Sequence, residues 1–148
     1  MKKIILVMFL LVSSLGFAKW EYKEEKDPFT DKVKKEISLK NNKGFLILSN
    51  ESEKIYSMGL IALNKTYTYG TLKKDIEIRI DNNETIVTDC LVSESSFIFP
   101  LGNAEIYKKI TEEMQNGKKL ILRVQDLKET LFLEFDLEDF ASVYQKIK

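Results

Sequence analysis

The chain of 148 residues contains no histidine, one cysteine, two prolines and only two arginines, Arg79 and Arg123. Without histidine, Ser-His-Asp and Cys-His nucleophile systems and the usual zinc ligand sets are excluded. The single thiol, Cys90, excludes an internal disulfide and any cysteine-cluster metal site, so packing alone must hold the fold. Glycines 44, 59, 70, 102 and 117 stand isolated, so the phosphate-cradling and nucleophile-elbow patterns GxGxxG, GxxxxGK[ST] and GxSxG are missing.

A long apolar run is also missing. The longest, residues 4–12, falls well short of the roughly 20 residues that cross a hydrocarbon core. It follows Met1-Lys2-Lys3 and precedes Ser13-Ser14-Leu15-Gly16-Phe17-Ala18, which is the layout of a secretory signal peptide with small residues at the cleavage site. The expectation is a cut after Ala18, export to the periplasm or beyond, and no stable membrane anchor afterwards. Cys90 lies far from the end of the leader, which argues against lipidation. Removing 18 of 148 residues leaves 130, the size of one domain. The leader takes two lysines with it, so 21 basic residues face 23 acidic ones, a net charge of −2. A near balance offers no basic face for nucleic acid.

What is present is mostly period two. Ile76, Ile78 and Ile80 alternate with Glu77 and Arg79, and Asp81-Asn82-Asn83-Glu84 separates them from the β-branched residues 85–87, which reads as a hairpin. Alternation over 36–39, the turn cluster Asn41-Asn42-Lys43-Gly44, and the apolar segments 45–48, 55–63 and 97–101 read as further strands and turns. Cys90 falls in a strand-like run, as a small buried hydrophobe. Ile106, Ile110 and Met114 then switch the period to 3.6, between Asn103 as N-cap and Asn116-Gly117 as a stop. Residues 120–124 form a strand, 126–128 a turn, and Leu131, Leu133, Phe135 and Leu137 alternate on another strand. Leu137, Phe140, Ala141, Tyr144 and Ile147 mark a terminal helix, with Asp136 as candidate N-cap. The expected fold is mainly β (α+β), an antiparallel β-sandwich or half-barrel with one inserted helix and a C-terminal helix, forming a single domain over 19–148.

Candidate chemistry is thin. The carboxylates Asp27, Asp31, Asp81, Asp136, Glu138 and Asp139 sit at turns and helix starts, where solvation or turn building is the ordinary role, and their spacing does not form a calcium loop. Glu77 and Arg79 share a strand face, which reads as a solvated surface or cross-strand charge pairing. The charged lead-in 19–31 carries Trp20, Tyr22 and Phe29 and reads as an arm pinned to the body by aromatic anchors, with a partner or ligand groove as the other reading.

Trp20-x-Tyr22, then Asp27-Pro28-Phe29-Thr30-Asp31, Arg79-Ile80-Asp81, Leu122-Arg123-Val124 and Phe135-Asp136-Leu137-x-x-Phe140 together resemble a group of small exported bacterial and prophage-associated proteins. Among these are the type VI secretion accessory proteins of the VasI kind. Their pattern is a tryptophan, a D-P-M-T-D-like turn, an R-I-D strand and a closing strand leading into a helix with Gly-Phe. Here Phe29 replaces the methionine and Asp139 the glycine. The resemblance implies a β-rich, non-enzymatic envelope protein without cofactor or metal, whose envelope partner is met through Trp20, Asp27, Asp31, Arg79 and Asp81. The competing expectations are a glycan hydrolase, which needs two acids facing one cleft, and a lipid or small-ligand carrier, which needs a large apolar cavity inside the strands.

Overall fold

The computed structural model describes residues 19–51, 56–63, 67–100, 102–125 and 130–148, except the side chains of Tyr56 and of residues 67–72. The leader over 1–18 and the turn over 126–128 lie outside the described residues. Nine strands and two helices follow in the order β1 (Glu21–Lys26), β2 (Val33–Lys40), β3 (Gly44–Glu51), β4 (Tyr56–Ala62), β5 (Tyr67–Ile80), β6 (Ile86–Glu94), β7 (Ser96–Phe99), α1 (Ala104–Asn116), β8 (Lys119–Gln125), β9 (Thr130–Asp136) and α2 (Phe140–Tyr144). All nine strands join one antiparallel sheet in the order β1-β2-β3-β4-β7-β6-β5-β8-β9, which curls into a half-barrel.

Alternation produces the curl's apolar interior. Ile76, Ile78 and Ile80 of β5 point to the face that also receives Leu46 and Leu48 of β3, Met58 and Leu60 of β4, Leu120 and Leu122 of β8, and Leu133 and Phe135 of β9, all of them buried. Burial of each such side chain contributes about 1.5–3 kcal/mol, which is how a chain without disulfides holds together. The β2–β3 turn then reaches toward the far edge of the sheet. Asn41 Oδ1 accepts from the amides of Lys43 and Gly44 at 2.7 and 2.8 Å, and its Nδ2 donates to the Glu134 carbonyl of β9 at 2.8 Å. Gly44 is required here, because a Cβ would collide with the Ile61 carbonyl and crowd Leu133.

Helix α1 starts where expected: Asn103 is extended and its Oδ1 accepts from Ile106 N–H at 3.0 Å. It buries Tyr107, Ile110, Thr111 and Met114, and it packs on β4, β5 and α2. The terminal helix differs from its expected form. It spans only five residues, its N-cap position is Asp139 rather than Asp136, and Asp139 lies in the left-handed region at φ 63°. The reason is that the chain stays extended to the end of β9. Asp136 pairs with Lys119, and Leu137 N–H donates to the Lys118 carbonyl at 2.8 Å, so no helix starts there. Asp136 instead accepts from Glu138 N–H at 2.8 Å, in a turn.

The lead-in is held by more than the aromatic anchors expected of a pinned arm, because residues 21–26 pair along their whole length with β2 and form an edge strand. All six are exposed, so no apolar alternation announces the strand. Its five charged residues of both signs suit an edge that must not recruit another chain.

Candidate functional site

The β1–β2 hairpin ends in the turn of residues 27–31. Proline at 28 presets its own φ and biases Asp27 toward an extended backbone, which opens a turn. The Asp27 carboxylate completes it: Oδ1 accepts from Phe29 N–H at 2.7 Å and from Thr30 N–H at 3.0 Å. These two bonds favour the charged form and hold the Asp27 carboxyl below its ordinary value. Backbone bonds from Asp31 N–H to the Asp27 carbonyl and from Asp27 N–H to the Lys32 carbonyl, at 3.0 and 2.8 Å, close the loop. Asp31 adopts φ 57°, a conformation that aspartate tolerates better than most residues, and pairs with Lys26 Nζ at 2.6 Å. At the top of this braced turn Phe29 is 95% exposed. Beside it lies a concavity of about 320 Å³ bordered by three lysines (Lys26, Lys32, Lys34) and three acids (Glu25, Asp27, Glu51).

Trp20, just before β1, has the opposite fate. It is 6% exposed and packs on Phe140 of α2, with ring centroids 5.1 Å apart and planes tilted by 51°. Phe140 in turn stacks on Tyr144 at 5.3 Å. The indole N–H has no acceptor among the described residues. Tyr22 stays partly exposed beneath the ammonium of Lys146, 5.6 Å from its ring centre.

Arg79 and Asp81 lie elsewhere. Arg79 is exposed near the end of β5, opposite Ile121, and among the described residues no acid pairs with it. Asp81, at φ 50°, caps a joint between distant segments: its carboxylate accepts from Lys118 N–H at 3.2 and 3.1 Å and from Lys119 N–H at 2.9 Å. Its own N–H donates to the Lys119 carbonyl at 2.9 Å. Gly117 makes this approach possible, because a Cβ there would run into Ile80 Cγ2. Five strands separate β1 from β5 in the sheet. The five residues singled out in the sequence therefore form three places: Asp27 and Asp31 in one turn, Arg79 and Asp81 at another end of the sheet, and Trp20 in the core.

Several other ionisable groups have structural partners. Glu77 pairs with Arg123 directly across the β5–β8 ladder, which lowers the carboxyl's pKa and raises that of the guanidinium. This is the cross-strand pairing expected of that face, with Arg123 rather than Arg79 as the cation. Lys73 pairs with Asp89 at 2.7 Å and Lys119 with Glu134 at 2.5 Å. Cys90 is fully buried, and burial pushes its thiol up to about 11, so it is inert at neutral pH. Among the described residues no group of three or more Cys, Asp or Glu side chains is placed to hold a metal ion, and no helix is long and apolar enough to cross a membrane.

Two further concavities lie on the helical side. One, of about 500 Å³, is bordered by Asp81, Asn83, Glu112, Glu113 and Asn116, with Asn83 Nδ2 donating to Glu113 at 3.0 Å. The other, of about 640 Å³, lies between α1, α2 and the segment after β7. The sequence reading treated Phe29 as an anchor like Trp20, and it placed no pocket on the helices. The only sequence signal for Phe29's exposure is its position inside the Asp-Pro turn. Compared with protein-family models, curated proteins and solved structures, the chain matches none of them.

Proposed function

We propose that this chain is an exported, non-enzymatic accessory protein of the bacterial cell envelope that binds another envelope protein through the tip of its β1–β2 hairpin. One observation carries the reading: an aromatic side chain held 95% in solvent on a turn braced by Asp27 and Asp31. A turn with its hydrogen bonds already made has little conformational entropy left to lose on binding, and a protruding aromatic is the usual anchor of a protein interface. The equal numbers of lysines and acids beside Phe29 suit a protein socket rimmed by both charges better than a phosphate-rich surface.

The acids speak for binding over catalysis. Asp27, Asp81 and Asp136 each accept from backbone amides, the work of turn building rather than of an acid and base facing a substrate. Export rests on the leader pattern of residues 1–18. Association with a secretion system or a prophage rests on the resemblance.

The test is a photo-crosslinking phenylalanine analogue at position 29 of the exported protein, with the same analogue at exposed Val87 as control. A discrete adduct at 29, absent at 87 and competed by excess wild-type protein but not by Phe29→Ala, is the expected result. Absence of an adduct at 29, or the same adducts at both positions, refutes the assignment. N-terminal sequencing of the exported protein tests the leader separately, with Lys19 as the expected first residue.

A further inference from the structure

The inner face of the curled sheet is filled by buried side chains, whereas the outer face changes character from strand to strand. Its flanks are charged, and those charges pair among themselves: Lys34 with Glu36 on β2 at 3.4 Å, Lys73 of β5 with Asp89 of β6 at 2.7 Å, and Glu77 of β5 with Arg123 of β8. The middle is different. Strands β3, β4, β7 and β6 are neighbours, and their registers align one outward row that reads Ile47–Gly59–Ile98–Leu91, beside a second that begins Phe45–Ile61 and ends in two serines. Neither row holds a charge. Ile98 is 47% exposed, and Phe45, Ile47, Ile61 and Leu91 are half-buried. An uncharged, partly apolar centre between charged flanks is the composition of a protein interface.

Gly59, in the middle of this patch, is not explained by the packing of the single chain. Its backbone is not left-handed, both of its ladders run through it without a bulge, and a Cβ there would meet only the Phe97 carbonyl at 3.5 Å, an ordinary contact. Glycine weakens a strand, and where no bulge or turn needs it, it marks a place that another chain segment approaches closely. Directly opposite stands the exposed Ile98, so a dent and a knob lie side by side. A half-turn about an axis running along the strands between β4 and β7 brings the row against its own reverse. Ile98 of each copy then falls on Gly59 of the other, and Leu91 on Ile47. The paired flanks offer no excess of one sign to an acidic or basic partner, whereas a second copy brings the same uncharged centre and the same neutral rim. We propose that two copies of this chain associate through the outer face of β3, β4, β7 and β6, with Ile98 of each seated over Gly59 of the other. From β2 to β5 that face spans six strands, roughly 29 Å by 20 Å, or about 600 Å². Counted over both copies this is the lower end of specific interfaces, so the dimer is weak, with a dissociation constant in the tens of micromolar. The contact does not involve Phe29, so the fate of one proposal does not decide the other.

Sedimentation equilibrium of the protein from about 5 to about 200 µM tests this, a range that brackets such a constant. The expected result is passage from monomer to dimer across the range. Ile98→Lys puts a charge in the uncharged centre and Gly59→Thr fills the dent, and each raises the dissociation constant at least tenfold. Phe132→Lys, at an equally exposed apolar position on the outer face of β9, leaves it unchanged. Urea unfolding at the lowest concentration, where the protein is monomeric, finds Gly59→Thr at least as stable as wild type, because threonine suits a strand better than glycine. A wild type that stays monomeric throughout overturns the proposal and leaves the face to a different protein. So does a dimer that Ile98→Lys and Gly59→Thr, both folded by circular dichroism, leave unchanged, or one that Phe132→Lys weakens as much as they do. A Gly59→Thr variant less stable than wild type places the need for glycine inside the monomer and overturns the dent as a contact.

Discussion

Trp20 and Phe29 flank the same exposed edge strand, yet one is 6% exposed and the other 95%. Nothing in β1 itself makes the difference, since all six of its residues are exposed and its pairing with β2 runs the whole length. Trp20 is buried because α2 returns from the far end of the chain and brings Phe140 against it. Phe29 stays in solvent because Asp27 and Asp31 tie their loop to itself and no other element among the described residues covers it. Burial of an aromatic is a long-range property; its display can be a local one. The edge strand thus has a core anchor at one end, where Trp20 meets α2, and a solvent-exposed aromatic at its other tip.

This contrast is sharpest in stability. Trp20→Ala opens a cavity beside Phe140 and is expected to cost about 3–5 kcal/mol by urea unfolding. Trp20→Phe keeps the aromatic contact and removes a buried N–H that has no acceptor among the described residues, so its cost falls below about 1.5 kcal/mol. A loss as large as that of Trp20→Ala would mean that the indole N–H is satisfied. Cys90 provides a second readout: its buried thiol reacts with an aromatic disulfide reagent only when the fold opens. Labelling therefore accelerates in Trp20→Ala and stays at the wild-type rate in Phe29→Ala.

Asp81 extends the comparison to a second acid-built turn, one that joins distant segments instead of displaying a side chain. Asp81→Ala strips an acceptor from the amides of Lys118 and Lys119 and is expected to cost about 2 kcal/mol, with loosened amide exchange at the start of β8. Asp27 acts only on its own loop. Its folded carboxyl titrates below the ordinary value of 3.8, so its contribution is fully present above that value and is lost as the pH falls through the lower, folded one. Comparing wild type with Asp27→Asn from pH 6 down to pH 2 should show the two stability curves converging at the acid end. Curves that stay parallel would show that the amide bonds of Phe29 and Thr30 do not depend on the charge.

Smaller still, Asp139→Gly relieves a left-handed backbone and is expected to raise stability by about 0.5 kcal/mol. Smallest is Phe29→Ala, within about 0.5 kcal/mol of wild type, because its ring buries nothing in the free protein.

The half-barrel was legible where one strand face is apolar and the other polar. Ile76, Ile78 and Ile80 declare their face, and Asn103 with Asn116-Gly117 brackets α1 within a residue. β1 was not legible, because an edge strand exposed on both faces carries no apolar period and is held by its backbone ladder. The start of α2 was misplaced because Leu137 N–H is taken by Lys118, nineteen positions back in the chain, which periodicity cannot report. The candidate site was legible in part. Asp27-Pro28 announced the turn, but only the path of α2 separates Trp20 from Phe29. The grip of Asp81 on Lys118 and Lys119 spans 37 and 38 positions and left no local trace.

The most direct test of display against anchoring is the photo-crosslinking analogue at position 29, read beside the unfolding midpoint of the same variant. The account predicts a wild-type midpoint together with a discrete adduct that Phe29→Ala cannot compete away. A wild-type midpoint without that adduct, or a midpoint lowered as in Trp20→Ala, would contradict it.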